Sequence, residues 1–187
     1  GKAKARFNEI ADQLSKNSTD FSNHVLDATK AFTLDISDPQ DADGWPESLE
    51  RVTAQSYNQG KAEQDPESTP ENGPWRITLD LPSFIPFMQH SKRRDQREAV
   101  YRAFLTRASD GDLDNSDLIA ETLSLRKERA RLLGFDTFAE LSLDSKMAPD
   151  VAAVQDMFDE LLTASKPFAV HDLDEVKNLA ADLGDSV

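Results

Sequence analysis

Cysteine is absent from the 187 residues. That excludes disulfides, thiolate zinc ligands and a thiol nucleophile. Histidine is nearly as scarce: His24, His90 and His171 stand far apart in the sequence. A His-Glu-x-x-His helix sets two imidazoles one turn apart around a metal, with the carboxylate activating its water, and this chain lacks one. The seven glycines never cluster into a phosphate-cradling Gly-x-Gly-x-x-Gly, and there is no Gly-x-Ser-x-Gly nucleophile elbow. Ser22 and His24 are neighbours in sequence but fall on different faces of a helix. No apolar run approaches the ~20 residues of a membrane-spanning helix. The opening Gly1-Lys2-Ala3-Lys4-Ala5-Arg6-Phe7 is not followed by the apolar run of a signal peptide. Basic charge is also in deficit. Lys and Arg number 21 against 35 Asp and Glu, a formal charge of −14. That balance disfavours nucleic acid and anionic membrane as partners, because both require a basic surface.

The charge that is present is unevenly placed. Ten acidic and two basic residues lie between Asp35 and Glu71, and ten acidic and three basic between Asp144 and Asp185. Between these blocks, Lys92, Arg93, Arg94, Arg97, Arg102 and Arg107 form a locally basic helix. With no aromatic ladder or glycine-rich loop beside it, this reads as a solvated face balancing its acidic neighbours. Two metal constellations come under test. His171, Asp174 and Glu175 share a helical face, but nothing nearby in sequence adds a further ligand, so an exposed acidic face is expected. Asp110, Asp112, Asp114 and Glu121 occupy positions 1, 3, 5 and 12 of a calcium loop. Asn115 replaces the turn glycine, however, and Asp117 stands where an apolar anchor is usual. The expectation there is an acidic interhelical loop, with Asn115 or Ser116 capping the next helix.

Apolar periodicity predicts a mainly helical chain. Phe7, Ile10, Leu14, Phe21, Val25, Ala28 and Phe32 mark one face of a long first helix. Residues 33–37 and 75–81 alternate and are expected to pair as a minor two-stranded ribbon. A helix opens at Gly44-Trp45-Pro46-Glu47 and closes at Gly60, with Leu49, Val52 and Ser56 or Tyr57 inward. Residues 61–74 read as a mobile polar loop. Helices follow at 82–90, 92–108 (Ala99, Ala103 and Phe104 inward), 116–133, and from an Asp136 cap to Leu143. Two more are expected. One has Pro149 in its first turn and Val151, Val154, Phe158 and Leu161 inward. The other starts at Pro167, with Phe168, Leu173, Val176 and Leu179 inward. The apolar pattern is under way by residue 5 without a capping box, and it stops just short of 183–187. The expectation is a single helical segment, 1–187, of a longer chain.

Three stretches carry a resemblance. They are Arg6-Phe7-Asn8-Glu9-Ile10 through Phe21-Ser22-Asn23-His24-Val25-Leu26-Asp27-Ala28-Thr29; Leu79-Asp80-Leu81-Pro82-Ser83-Phe84-Ile85-Pro86-Phe87-Met88 with Tyr101-Arg102-Ala103-Phe104-Leu105-Thr106-Arg107-Ala108-Ser109; and Leu132-Leu133-Gly134-Phe135-Asp136-Thr137-Phe138-Ala139-Glu140-Leu141-Ser142-Leu143 closed by Lys146-Met147-Ala148. Together they resemble the region upstream of the catalytic centre in the oligopeptidase A and thimet-type oligopeptidase family of intracellular zinc metallopeptidases. The resemblance implies a helical scaffold enclosing a channel for short peptides. It also implies zinc held on a His-Glu-x-x-His helix beyond Val187. No catalytic, cofactor-binding or metal-ligating residue is carried onto any position here, and the chain alone is expected to be inactive. Implied partners are the remainder of the peptidase chain and, for the parent, short peptides. The isolated segment is expected to be able to self-associate. The alternative is a free-standing helical protein-interaction module without activity.

Overall fold

A computed structural model describes residues 1–184. Residues 185–187, where the final sequence pattern closes, lie outside the described residues. Among the described residues there are seven α-helices and one two-stranded ribbon. In order they are α1 (Lys2–Ala31), β1 (Thr33–Ile36), α2 (Glu47–Gly60), β2 (Trp75–Thr78), α3 (Leu81–His90), α4 (Arg94–Leu105), α5 (Ser116–Leu132), α6 (Phe138–Leu143) and α7 (Val151–Asp182). The architecture is mainly α with a minor β ribbon. It divides into two compact units: Ala11–Thr122, and Gly1–Ile10 together with the chain from Leu123 onward.

The core of the Ala11–Thr122 unit is built on the ribbon. β1 and β2 pair antiparallel, with Leu34 opposite Ile77 and Ile36 opposite Trp75. Alternation puts Ile36, Trp75 and Ile77 on the buried face, where they meet Leu49, Ala54, Phe87 and Val100. Trp45 packs edge-on to Trp75 at 5.8 Å and to Phe87 at 5.6 Å, the arrangement aromatic quadrupoles favour. On the outer face Arg76 grips Asp35 with two hydrogen bonds of 2.6 Å across the strands. β2 stops at Thr78, short of the expected Leu81. The carbonyl of Asp80 already accepts from the N–H groups of Ser83 and Phe84, so α3 has begun. The N–H of Thr78 donates instead to Ser83 Oγ, 3.0 Å away.

Residues 61–74 make hydrogen bonds of their own. Asn58 takes the N–H of Ser68 and donates to its carbonyl, and Trp75 Nε1 donates to the Pro70 carbonyl at 3.0 Å. Gly73 has φ +62°, and a Cβ there would lie 2.6 Å from the Trp75 ring. Only glycine fits that approach.

In the other unit the N-terminal turns of α1 meet the later part of α5. Arg6 forms a paired 2.7 Å contact with Glu128, and Arg129 lies over the Phe7 ring at 5.1 Å. Ile10 and Ala130 are fully buried. Gly134, with φ +88°, ends α5 as expected.

Four expectations need correction. The cap of α6 is Thr137 rather than Asp136. Its hydroxyl accepts from Glu140 N–H while Glu140 takes the Thr137 N–H, a reciprocal box that pays better than a lone aspartate. Asp150 caps α7 by accepting from Ala153 N–H, which leaves Pro149 outside the helix. Pro167 does not start a new helix; it sits inside the continuous α7, which tolerates one missing N–H. In α4 the buried residue is Val100, and Ala99 is exposed.

Along α7, of the eight residues expected inward, only Val154 is half-buried; the others are exposed. Periodicity reveals that an apolar face exists. It does not reveal whether the chain supplies anything to cover it.

Candidate functional site

The residues singled out in the sequence do not converge. In the calcium-like loop, Gly111–Leu113 forms a short 3-10 turn, and Asp114 accepts from both the N–H and the hydroxyl of Ser116. Those two donors hold the Asp114 carboxyl below its ordinary range. Glu121 accepts instead from Asn17 Nδ2 at 2.9 Å. The expected cap is divided between residues. Asn115 stands at the cap position, its carbonyl receiving the Ile119 N–H. Its side chain turns back to α1, taking His24 Nδ1 at 2.9 Å on its oxygen and donating to the Phe21 carbonyl. Asp114 binds the first helical N–H in its place.

The histidines are similarly occupied or isolated. His24 belongs to the Asn115 contact, whereas Ser22 donates its hydroxyl to the Ser18 carbonyl. Nucleophile and base are therefore not joined. His90 is exposed at the end of α3. His171 Nε2 is 3.6 Å from Glu175, and Asp174 faces Lys177 at 4.0 Å, all in solvent. Among the described residues no group of three or more His, Asp or Glu comes together in a way that could hold a metal ion.

The basic stretch expected as one helix over 92–108 is helical only over Arg94–Leu105, and the cations flanking it bond to neighbours. Lys92 meets Asp43 at 2.6 Å, and Arg93 bridges Asp41 at 2.6 Å and Asp95 at 2.8 Å. These partners push the Asp43 and Asp95 carboxyls down and the Arg93 guanidinium up. Arg107 lies 3.7 Å over the Phe104 ring while donating to the Phe104 carbonyl and Thr29 Oγ1. It borders an open cleft of about 650 Å³ whose other walls are mostly alanine, Phe32 and Leu113.

Sequence reasoning missed two buried amides. Asn17, 1% exposed, is held by Gln13, Glu121 and Thr122, and Asn115 is 3% exposed. Asn17 lies on the side of α1 that meets the 108–122 stretch, and Asn115 lies in that stretch facing α1. The only sequence signal was Asn17 falling three residues after Leu14 on the apolar face. No helix among the described residues is long and apolar enough to cross a membrane.

A match to peptidase family M3 covers residues 87–186. Over 95% of its length the chain is 46% identical to an organellar oligopeptidase A of Arabidopsis thaliana, covering 22% of that protein. It is 44% identical to a probable cytosolic oligopeptidase A of the same plant, again over 95% of this chain and 25% of the relative. It is 37% identical to oligopeptidase A of Escherichia coli over 94% of this chain and 25% of the relative. The chain thus spans about a quarter of the length of the curated relatives it matches. On these sequence matches the chain belongs to peptidase family M3.

Proposed function

We propose that residues 1–187 are a non-catalytic scaffold portion of an intracellular zinc metallo-oligopeptidase that hydrolyses short peptides. One observation carries this reading: nearly all of this chain aligns with only 22–25% of each oligopeptidase A relative. Most of such an enzyme, including room for its catalytic centre, is then elsewhere. Zinc does not fit the residues present. A catalytic zinc takes three protein ligands and an open position, and no three donor side chains converge among the described residues. No step of peptide hydrolysis is therefore assigned to this chain. Its proposed work is to give shape and rigidity to the wall of a peptide channel. The ribbon core, with Trp45, Trp75 and Phe87, supplies that rigidity. The loop at 61–74 is proposed to remain the more mobile part of the wall. The acidic blocks would favour basic peptides through their field.

The test is genetic and simple. Extending the reading frame past Val187 is expected to reveal a His-Glu-x-x-His. A natural stop at Val187 would sink the proposal and leave a free-standing interaction module.

A further inference from the structure

The feature the scaffold reading leaves unexplained is α7. It is 32 residues long, or about 48 Å at 1.5 Å per residue. Its apolar residues recur at helical spacing yet lie in solvent: Phe158 is 54% exposed, Phe168 70%, Val176 54% and Leu179 60%. A contiguous exposed apolar face of this kind marks an interaction surface. Within it sits a charge. Phe168, Asp172 and Val176 are spaced by four, with Leu179 three further on, so Asp172 falls in the middle of the apolar stripe. Its helical neighbours pair elsewhere, His171 with Glu175 and Lys177 with Asp174. Among the described residues Asp172 has no ion-pair or hydrogen-bond partner. A single charged residue in an apolar seam fixes register and partner choice, because closing the seam without a counter-charge leaves a carboxylate desolvated and unpaired.

We infer that this face seats an amphipathic helix bearing an Arg or Lys within its own apolar stripe, set against Asp172. That helix comes from the peptidase polypeptide outside residues 1–187. The inference rests on the scaffold reading for the source of the helix. Length agrees, since about three-quarters of each relative lies outside the region this chain matches. Charge agrees as well. α7 carries seven acidic residues and two lysines, Lys166 and Lys177. A second copy of α7 is the poorer occupant. Those lysines lie about 120° and 140° around the axis from Asp172, off the stripe, so a second copy would close the seam without a cation for Asp172.

The test uses the 187-residue chain and two synthetic amphipathic peptides, each about 30 residues long to match α7. They share one leucine stripe and differ at a single stripe position, Arg in one and Glu in the other. Calorimetry should show the Arg peptide binding at least about tenfold tighter, the scale of a desolvated charge pair. Hydrogen exchange should slow in α7 alone. Asp172→Asn should bring the two peptides within about twofold of each other, and Phe168→Asp should weaken both. Equal affinities on the wild-type chain would overturn the inference, as would discrimination that survives Asp172→Asn. A chain that sediments as a dimer, with α7 already protected before peptide is added, would also overturn it in favour of a second copy. None of these readouts involves hydrolysis, so failure here leaves the peptidase reading standing. A reading frame ending at Val187 would remove the source of the helix without altering the binding result.

Discussion

Trp75 joins the ribbon, the aromatic core and the 61–74 loop, so its replacement separates two contributions. The side chain is 1% exposed, packs against Trp45, and donates its indole N–H to the Pro70 carbonyl at 3.0 Å. Truncation to alanine removes the ring and opens a cavity, a change that costs about 3–5 kcal/mol. Trp75→Phe keeps much of the packing and loses the hydrogen bond, about 1–1.5 kcal/mol. With a urea m-value of about 2 kcal/mol/M, the midpoint should fall by about 1.5–2.5 M for alanine and about 0.5–0.75 M for phenylalanine. Urea titration followed by far-ultraviolet circular dichroism reads both. The phenylalanine variant should also be cleaved faster by added protease between residues 61 and 74, because Pro70 is no longer tied to the core. The reasoning fails if both midpoints move by less than about 0.3 M. It also fails if Trp75→Phe is cleaved first at some other loop.

Four further outcomes follow from the geometry. Ala108 sits at φ 53° after α4, a left-handed position that costs an alanine about 1–2 kcal/mol, so Ala108→Gly should raise stability by about 0.5–1 kcal/mol in the same titration. Asn115→Ala should lower it by about 1–3 kcal/mol, because the Phe21 carbonyl and His24 lose their buried partner. Calcium at millimolar concentration should give no binding heat with either protein. The Glu128 carboxyl is held below its ordinary value, first by its hydrogen bonds from Arg6. Its contribution is thus present above the ordinary carboxylate range and is lost as pH falls through the lowered value. Glu128→Gln should accordingly show a smaller drop in urea midpoint than wild type between about pH 6 and pH 3, and added salt should shrink that difference.

The elements were legible where local chemistry decides them. Alternation at 75–78, the glycine after Leu133 and the apolar periodicity of α1 each act within a few residues. The misplaced details depended on rival local partners. Thr137 and Asp136 can both cap, and the choice fell to the residue whose hydroxyl and Glu140 could satisfy each other. Pro167 signalled a break, but a single missing N–H in an otherwise strong helix is tolerated. Val100 displaced Ala99 because it joins Trp45, Trp75 and Phe87 in the core, residues outside α4 that the periodicity of 92–108 does not reveal. For the site, sequence spacing brought Asp110, Asp112, Asp114 and Glu121 into a plausible order. It could not foresee that buried Asn17 and Asn115 would recruit Glu121 and the loop for packing against α1. Nor does any pattern within α7 disclose that its apolar face lies uncovered.

Peptide hydrolysis by the purified chain tests the central claim most directly. The 187 residues alone should not cleave short fluorogenic peptides with or without added zinc, whereas the extended reading frame should cleave them and lose activity to a zinc chelator. Chelator-sensitive turnover by residues 1–187 alone would contradict the scaffold role.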